Sequence, residues 1–151
     1  MIASPKIEPV LESDYPRVVE VWEASVRATH DFLSEANIAY LKPLVRDTFL
    51  DLVTLSCLRD ARGEIVAFSG VAGGKLEMLF VDPAHRGQGA GRQLVEHAIK
   101  VQDMREVDVN EQNEQAVGFY RRMGLVVTGR SETDSLGLPF PLLHMCLPEG
   151  G

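Results

Sequence analysis

The segment Val81-Asp82-Pro83-Ala84-His85-Arg86-Gly87-Gln88-Gly89-Ala90-Gly91-Arg92 constrains this chain more than any other. A predicted strand over residues 75–81 ends at Asp82-Pro83. After the three glycines comes a helical pattern whose inner face carries Leu94, Val95, Ala98, Ile99 and Val101. A strand therefore feeds a helix through a glycine-punctuated turn. Glycine adopts positive φ without strain and lets a ligand approach the backbone closely. The first amides of a helix have no partners within it and sit at the positive end of its dipole, so this turn suits an anion such as pyrophosphate. A tight turn that binds nothing would carry the same glycines. No Gly-Lys-Ser/Thr follows, which excludes a Walker loop. The preceding strand is the fourth of the chain, which excludes a dinucleotide fingerprint on a first strand.

The remaining pattern gives the element order. Residues 6–10 read as an edge strand with Pro9 near its end. Glu12, Ser13 and Asp14 are capping residues for a helix over 14–29, with Val18, Val21, Trp22, Ser25 and Val26 at helical spacing. Ser34 is the N-cap of a second helix carrying Ile38, Leu41, Leu44, Val45 and Phe49, and Pro43 inside it predicts a kink or a split. Apolar runs at 52–58 and 65–71 flank a hairpin turn, and Gly73-Gly74 makes the next turn. A strand over 106–109 and a helix over 114–123 follow, the latter closed by Gly124 at C′. Strands over 126–133 and 142–147 come last, around a loop rich in Gly and Pro. This order predicts an α+β fold, α/β in character, with a mixed sheet and helices on its faces. At 151 residues it fits one domain, 1–151.

The formal charge of −7 argues against nucleic acid as the main partner. No apolar run approaches the length that spans a bilayer, and the N-terminus lacks the basic flank and apolar centre of a leader, so a cytoplasmic location is expected. Cys57 and Cys146 are in no metal-like spacing; they predict two buried, reduced thiols and no metal.

A second motif runs Asn110-Glu111-Gln112-Asn113-Glu114-Gln115-Ala116-Val117-Gly118-Phe119-Tyr120-Arg121-Arg122-Met123-Gly124. Asn113 stands where a helix begins, able to cap it or to meet a ligand. Tyr120 lies two helical turns later on the same face. Its phenol is a candidate general acid, or else an amphipathic side chain packed at the sheet edge.

Arg86-x-x-Gly89-x-Gly91 after a strand, followed by Asn113-x-x-Ala116-x-x-Phe119-Tyr120-x-x-x-Gly124, resembles the GCN5-related N-acetyltransferase (GNAT) family over nearly the whole chain. Leu125 departs from the phenylalanine usual after that glycine, at a packing position. Residues 28–34, 109–120 and 128–131 further resemble the bacterial YjaB-type branch. The resemblance implies a GNAT-like, mostly antiparallel sheet of about seven strands with helices on both faces. It implies transfer of an acetyl group from acetyl-CoA to a primary amine, either protein lysine or α-amine or a small amine, by direct attack through a tetrahedral intermediate. The alternative is a non-catalytic acyl-CoA-binding module.

On that resemblance Arg86, Gly87, Gln88, Gly89, Ala90, Gly91 and Arg92 would hold the pyrophosphate. Leu79, Phe80 and Val81 would pair with the pantetheine arm, one amide near Phe80 facing the oxyanion. Asn113 would contact the cofactor and Tyr120 would protonate the departing thiolate. Glu77 is the first candidate for a base toward the acceptor, or an exposed strand carboxylate, with His30 behind it. Thr29, His30 and Phe32 would rim the acceptor groove. A monomer or homodimer is expected.

Overall fold

The computed structural model describes residues 6–29 and 33–148. Seven strands form one sheet: β1 (Glu8–Pro9), β2 (Thr54–Arg59), β3 (Ile65–Ala72), β4 (Lys75–Val81), β5 (Glu106–Asn110), β6 (Val126–Ser131) and β7 (Leu142–Cys146). They lie in the order β1-β2-β3-β4-β5-β7-β6. The β4–β5 pairing is parallel and every other pairing is antiparallel, as expected. The helices are α1 (Tyr15–Thr29), α2 (Glu35–Leu44), α3 (Ala90–Val101) and α4 (Glu114–Arg122).

Alternation along the strands sends side chains to two cores. On one face Val18, Val21 and Trp22 of α1 and Ile38 of α2 pack against Leu55, Cys57, Phe68 and Met78. On the other, Val95 and Ala98 of α3 and Tyr120 of α4 pack against Leu76, Val107, Val109 and Met145. Helices thus cover both faces.

Capping and turn chemistry set the helix limits. Asp14 accepts from the Leu11 amide at 3.0 Å, and a 3-10 turn, Glu12–Asp14, leads into α1. Ser34 and Asn37 form a reciprocal capping box at the start of α2. Pro43 stands in the last turn of α2. The expected kink takes the form of a widened turn, Val45–Phe49, and a tight one, Leu50–Leu52. β2 consequently begins at Thr54, later than the apolar run suggests, and Leu52 is exposed. Gly124, at φ +101°, lets the chain leave α4 and bury Leu125.

Three other expectations are corrected. Val101 ends α3 and is 68% exposed, so it is not part of the buried inner face that Leu94, Val95 and Ala98 form. β6 stops at Ser131. Cys57 is buried, and burial pushes its thiol up to about 11. Cys146 is only half-buried, since its neighbour Met145 occupies the core-facing position on β7.

Two irregularities in β4 position the site. Met78 faces Gly70 and Leu76 faces Val71, so Glu77 is an extra, bulged residue. The parallel pairing with β5 comprises only Lys75 with Glu106 and Leu76 with Val107. Beyond those pairs the strands separate, and the C-terminal half of β4 has an open edge.

Candidate active site

Asp82 fastens the end of β4. Its amide donates to Val66 O at 2.8 Å, its Oδ1 accepts from the Ala84 amide at 3.0 Å, and its Oδ2 meets Arg17 Nη2 of α1 at 3.1 Å. The chain then turns through Gly87 (φ +76°) and Gly89 (φ +82°) into α3. Both dihedrals are in the left-handed region that favours glycine. Gly91 has an ordinary φ, and a side-chain carbon there would lie 3.6 Å from the Phe119 ring. Among the described residues, the amides of Gly87, Gln88, Gly89, Ala90, Gly91 and Arg92 have no backbone acceptor; Gln93, bonding Gly89 O, is the first that does. A run of free donors at a helix start fits a pyrophosphate.

These residues border a cleft of about 390 Å³ where β4 and β5 part. Leu79, Phe80, Val81, Arg86, Gly87, Gly89, Ala90, Gly91, Arg92 and Asn113 all line it, and of the expected cofactor residues Gln88 alone does not. The Asp82–Val66 bond fixes the parity of β4: the Phe80 amide also turns toward β3, while those of Leu79 and Val81 turn toward the opening. The amides available to a bound acyl group are therefore those of Leu79 and Val81, on either side of Phe80.

Tyr120 lines the same cleft at 6% exposure, its ring set edge-on to Phe119 at 5.0 Å. Burial pushes its phenol above the ordinary value near 10, so it stays protonated at neutral pH. Asn113 caps α4, its Oδ1 accepting from the Ala116 amide at 3.1 Å, and also borders the cleft. Both roles foreseen for its position are thus compatible.

Glu77 is not in this cleft. It lines a second cavity, about 330 Å³, on the opposite face, with Trp22, Leu41, Phe49, Phe80 and Ser135 among its walls. Phe80 borders both cavities. Thr29 lies on the first, its hydroxyl donating to Ser25 O at 2.7 Å. His30 and Phe32 lie outside the described residues. Trp22, Phe49 and Ser135 escaped the sequence reading because the first two match a core pattern and the third stands in a loop. A third hollow, between Asp51 and Gln102, touches none of these residues.

The GNAT acetyltransferase domain model matches residues 53–145. The chain belongs to the GNAT acetyltransferases. It is 48% identical over 132 residues to the peptidyl-lysine N-acetyltransferase YjaB of Salmonella typhimurium, covering 87% of this chain and 90% of that protein. The solution structure of apo YjaB from Escherichia coli superposes with a TM-score of 0.85 at 44% identity, covering 93% and 95%. The fold also matches the PaiA N-acetyltransferase of Thermoplasma acidophilum, solved with coenzyme A, at a TM-score of 0.74, 18% identity and coverage of 95% and 98%. As a GNAT enzyme this protein is an acetyl-CoA-dependent N-acetyltransferase. Among its described residues no helix is long and apolar enough to cross a membrane.

Proposed function

We propose that this enzyme acetylates the ε-amine of lysine side chains in peptides or proteins. The second cavity carries the reading. Its walls, Trp22, Leu41, Phe49 and Phe80, suit an aliphatic chain, and Glu77 is the carboxylate among them that suits the ammonium at its end. The relatives named peptidyl-lysine N-acetyltransferases support the same acceptor.

In this reading acetyl-CoA supplies an activated acyl group from the β4–β5 cleft, and the amine arrives from the other face. The open edge of β4 pairs with the pantetheine arm, and the turn from Arg86 to Arg92 holds the pyrophosphate. The Leu79 or Val81 amide donates to the oxygen that gains charge as the amine attacks. Tyr120 gives its proton to the departing sulfur. The phenol protonates the sulfur as its bond to carbon breaks, and the proton that the attacking nitrogen loses on becoming an amide returns to the phenolate. Glu77 receives the acceptor ammonium, beside Lys75 at 3.7 Å.

The test is acetyl-CoA-dependent CoA release across lysine-bearing peptides, peptides free only at the α-amine, polyamines and aminoglycosides. Turnover on lysine peptides, with none when the lysine is replaced by norleucine, is expected. Turnover confined to α-amines or small amines overturns the reading.

A further inference from the structure

α1 packs across β4 where the two cavities meet. On β4, Glu77 and Met78 line the second cavity, Leu79 and Val81 line the cofactor cleft, and Phe80 between them lines both. α1 divides in the same way. One stripe of it runs Val18, Trp22, Ser25 and Thr29, at spacings of four, three and four residues. Trp22 borders the second cavity, while Ser25 and Thr29, next along the stripe, border the cleft. The crossing from one cavity to the other therefore lies between Trp22 and Ser25 on α1 and at Phe80 on β4. The Phe80 ring is held there against Phe68, with centroids 5.6 Å apart. An acyl carbon that lies in the cleft and is attacked from the second cavity has to sit at this crossing.

Ser25 stands at the crossing and is out of place in a core stripe. It is 6% exposed, beside Val21, Trp22 and Val26, and its hydroxyl has no hydrogen-bond partner among the described residues. The Thr29 hydroxyl one turn later, by contrast, donates to the Ser25 carbonyl. Burying a hydroxyl without a partner is destabilising, and alanine would suit both the helix and the core better. A ligand that supplies the missing partner offsets that cost.

We propose that Ser25 is a catalytic residue of the transfer: its Oγ accepts a hydrogen bond from the attacking amine and aims the nitrogen lone pair at the acyl carbon. This rests on the second cavity being the acceptor site. The amine arrives neutral, its ammonium proton already given to water. One N–H is bonded to Ser25 and stays in the product amide. The lone pair forms the N–C bond as the carbonyl electron pair moves to the oxygen facing the Leu79 or Val81 amide. The other N–H then gives up its proton, and the C–S bond breaks as Tyr120 protonates the sulfur. The nitrogen turns positive as it attacks, so its hydrogen bond to Ser25 becomes charge-assisted and is stronger in the transition state than before it. An interaction of that kind acts on kcat and not on binding.

The experiment compares the wild type with Ser25→Ala and Ser25→Cys in steady-state kinetics with the amine of highest turnover, in calorimetric titration with acetyl-CoA and in thermal unfolding. Ser25→Ala should lower kcat about 10–100-fold, with KM for the amine within about twofold and acetyl-CoA affinity unchanged. Its thermal midpoint should rise by about 1–3 °C, because a good helix former replaces an unpartnered hydroxyl. A serine that holds the fold would instead lower both activity and midpoint. Ser25→Cys keeps the shape and offers only a weak acceptor, so its kcat should stay within about threefold of the alanine variant. Wild-type kcat in either variant overturns the proposal. So does a lower midpoint in Ser25→Ala, which would make the hydroxyl structural, or weakened acetyl-CoA, which would assign it to the cofactor. Ser135→Trp, at an exposed loop residue on the wall of the second cavity, tests the acceptor-site reading separately. An unchanged KM for the amine there overturns that reading, and the direction of approach assumed for Ser25, even where Ser25→Ala behaves as expected.

Discussion

Leu76 and Val107 are the last residues that β4 and β5 hold in register, and the cleft opens directly beyond them. The amides of Leu79 and Val81 turn toward that opening while Phe80 bonds β3. Proline at position 81 removes one of those donors without breaking a ladder bond, since that edge of β4 is free. Val81→Pro is therefore expected to weaken acetyl-CoA about tenfold, the equivalent of one hydrogen bond, in a calorimetric titration. Its ligand-free thermal midpoint should move by only a few degrees. Unchanged affinity would remove the β4 edge from cofactor binding.

Gly89 and Gly91 separate conformational need from ligand approach. Gly89 sits at φ +82°, so Gly89→Ala is expected to lower the thermal midpoint by about 2–4 °C, the effect of about 1 kcal/mol of left-handed strain, and to weaken acetyl-CoA as well. At Gly91, φ is ordinary and the nearest contact would be 3.6 Å, so Gly91→Ala should leave the midpoint alone. It should still weaken acetyl-CoA if the backbone meets the pyrophosphate there. Thermal unfolding and titration of the two variants side by side distinguish these effects.

Tyr120→Phe is expected to lower kcat by about 100-fold or more while acetyl-CoA affinity holds. A kcat within twofold of wild type would dismiss the phenol as the acid. The buried phenol also predicts a pH effect on stability. Its pKa is raised on folding, so above about pH 10 the unfolded chain binds fewer protons than the folded one, and stability falls as pH rises. The loss should approach about 1.4 kcal/mol per unit and be absent from Tyr120→Phe in denaturant titrations at pH 9 to 11.

Asp82 joins α1 to the turn through Arg17 and caps the 3-10 turn that follows it, Pro83–His85. Asp82→Ala removes a cap and a partly buried ion pair, and is expected to cost about 1–2 kcal/mol in denaturant unfolding. An affinity for acetyl-CoA that drops as well would mean that this anchor also shapes the turn.

The turn and α4 were legible because their chemistry is local. Glycines at positive φ, an Asn at a helix start and a Tyr two turns on stand within short stretches of sequence. The acceptor side was not, because it is assembled from distant segments. Trp22, Phe49, Phe80 and Ser135 meet only through the sheet order, and the first three match patterns that any core would show. The bulge at Glu77 leaves no mark on the alternation of β4. That Asp108 stands opposite His144 likewise depends on β7 inserting between β5 and β6, which the order of elements along the chain does not disclose. The apolar run at 52–58 predicts an early start for β2 because Leu52, the last residue of a helical turn, prolongs the pattern.

Glu77 distinguishes ammonium binding from chemistry. Its side chain is 42% exposed and its contact with Lys75 spans 3.7 Å, so the carboxylate is free to turn toward an incoming cation. Glu77→Gln keeps the shape and removes the charge. An exposed ion pair contributes about 0.2–1 kcal/mol, so KM for a lysine peptide should rise by up to about fivefold. kcat should stay within about twofold, because the carboxylate holds the cation without entering the bond changes. The rise in KM should shrink in high salt, where screening already weakens the wild-type attraction. Steady-state kinetics at low and high ionic strength decide the matter. A large fall in kcat with KM unchanged would instead make Glu77 the base.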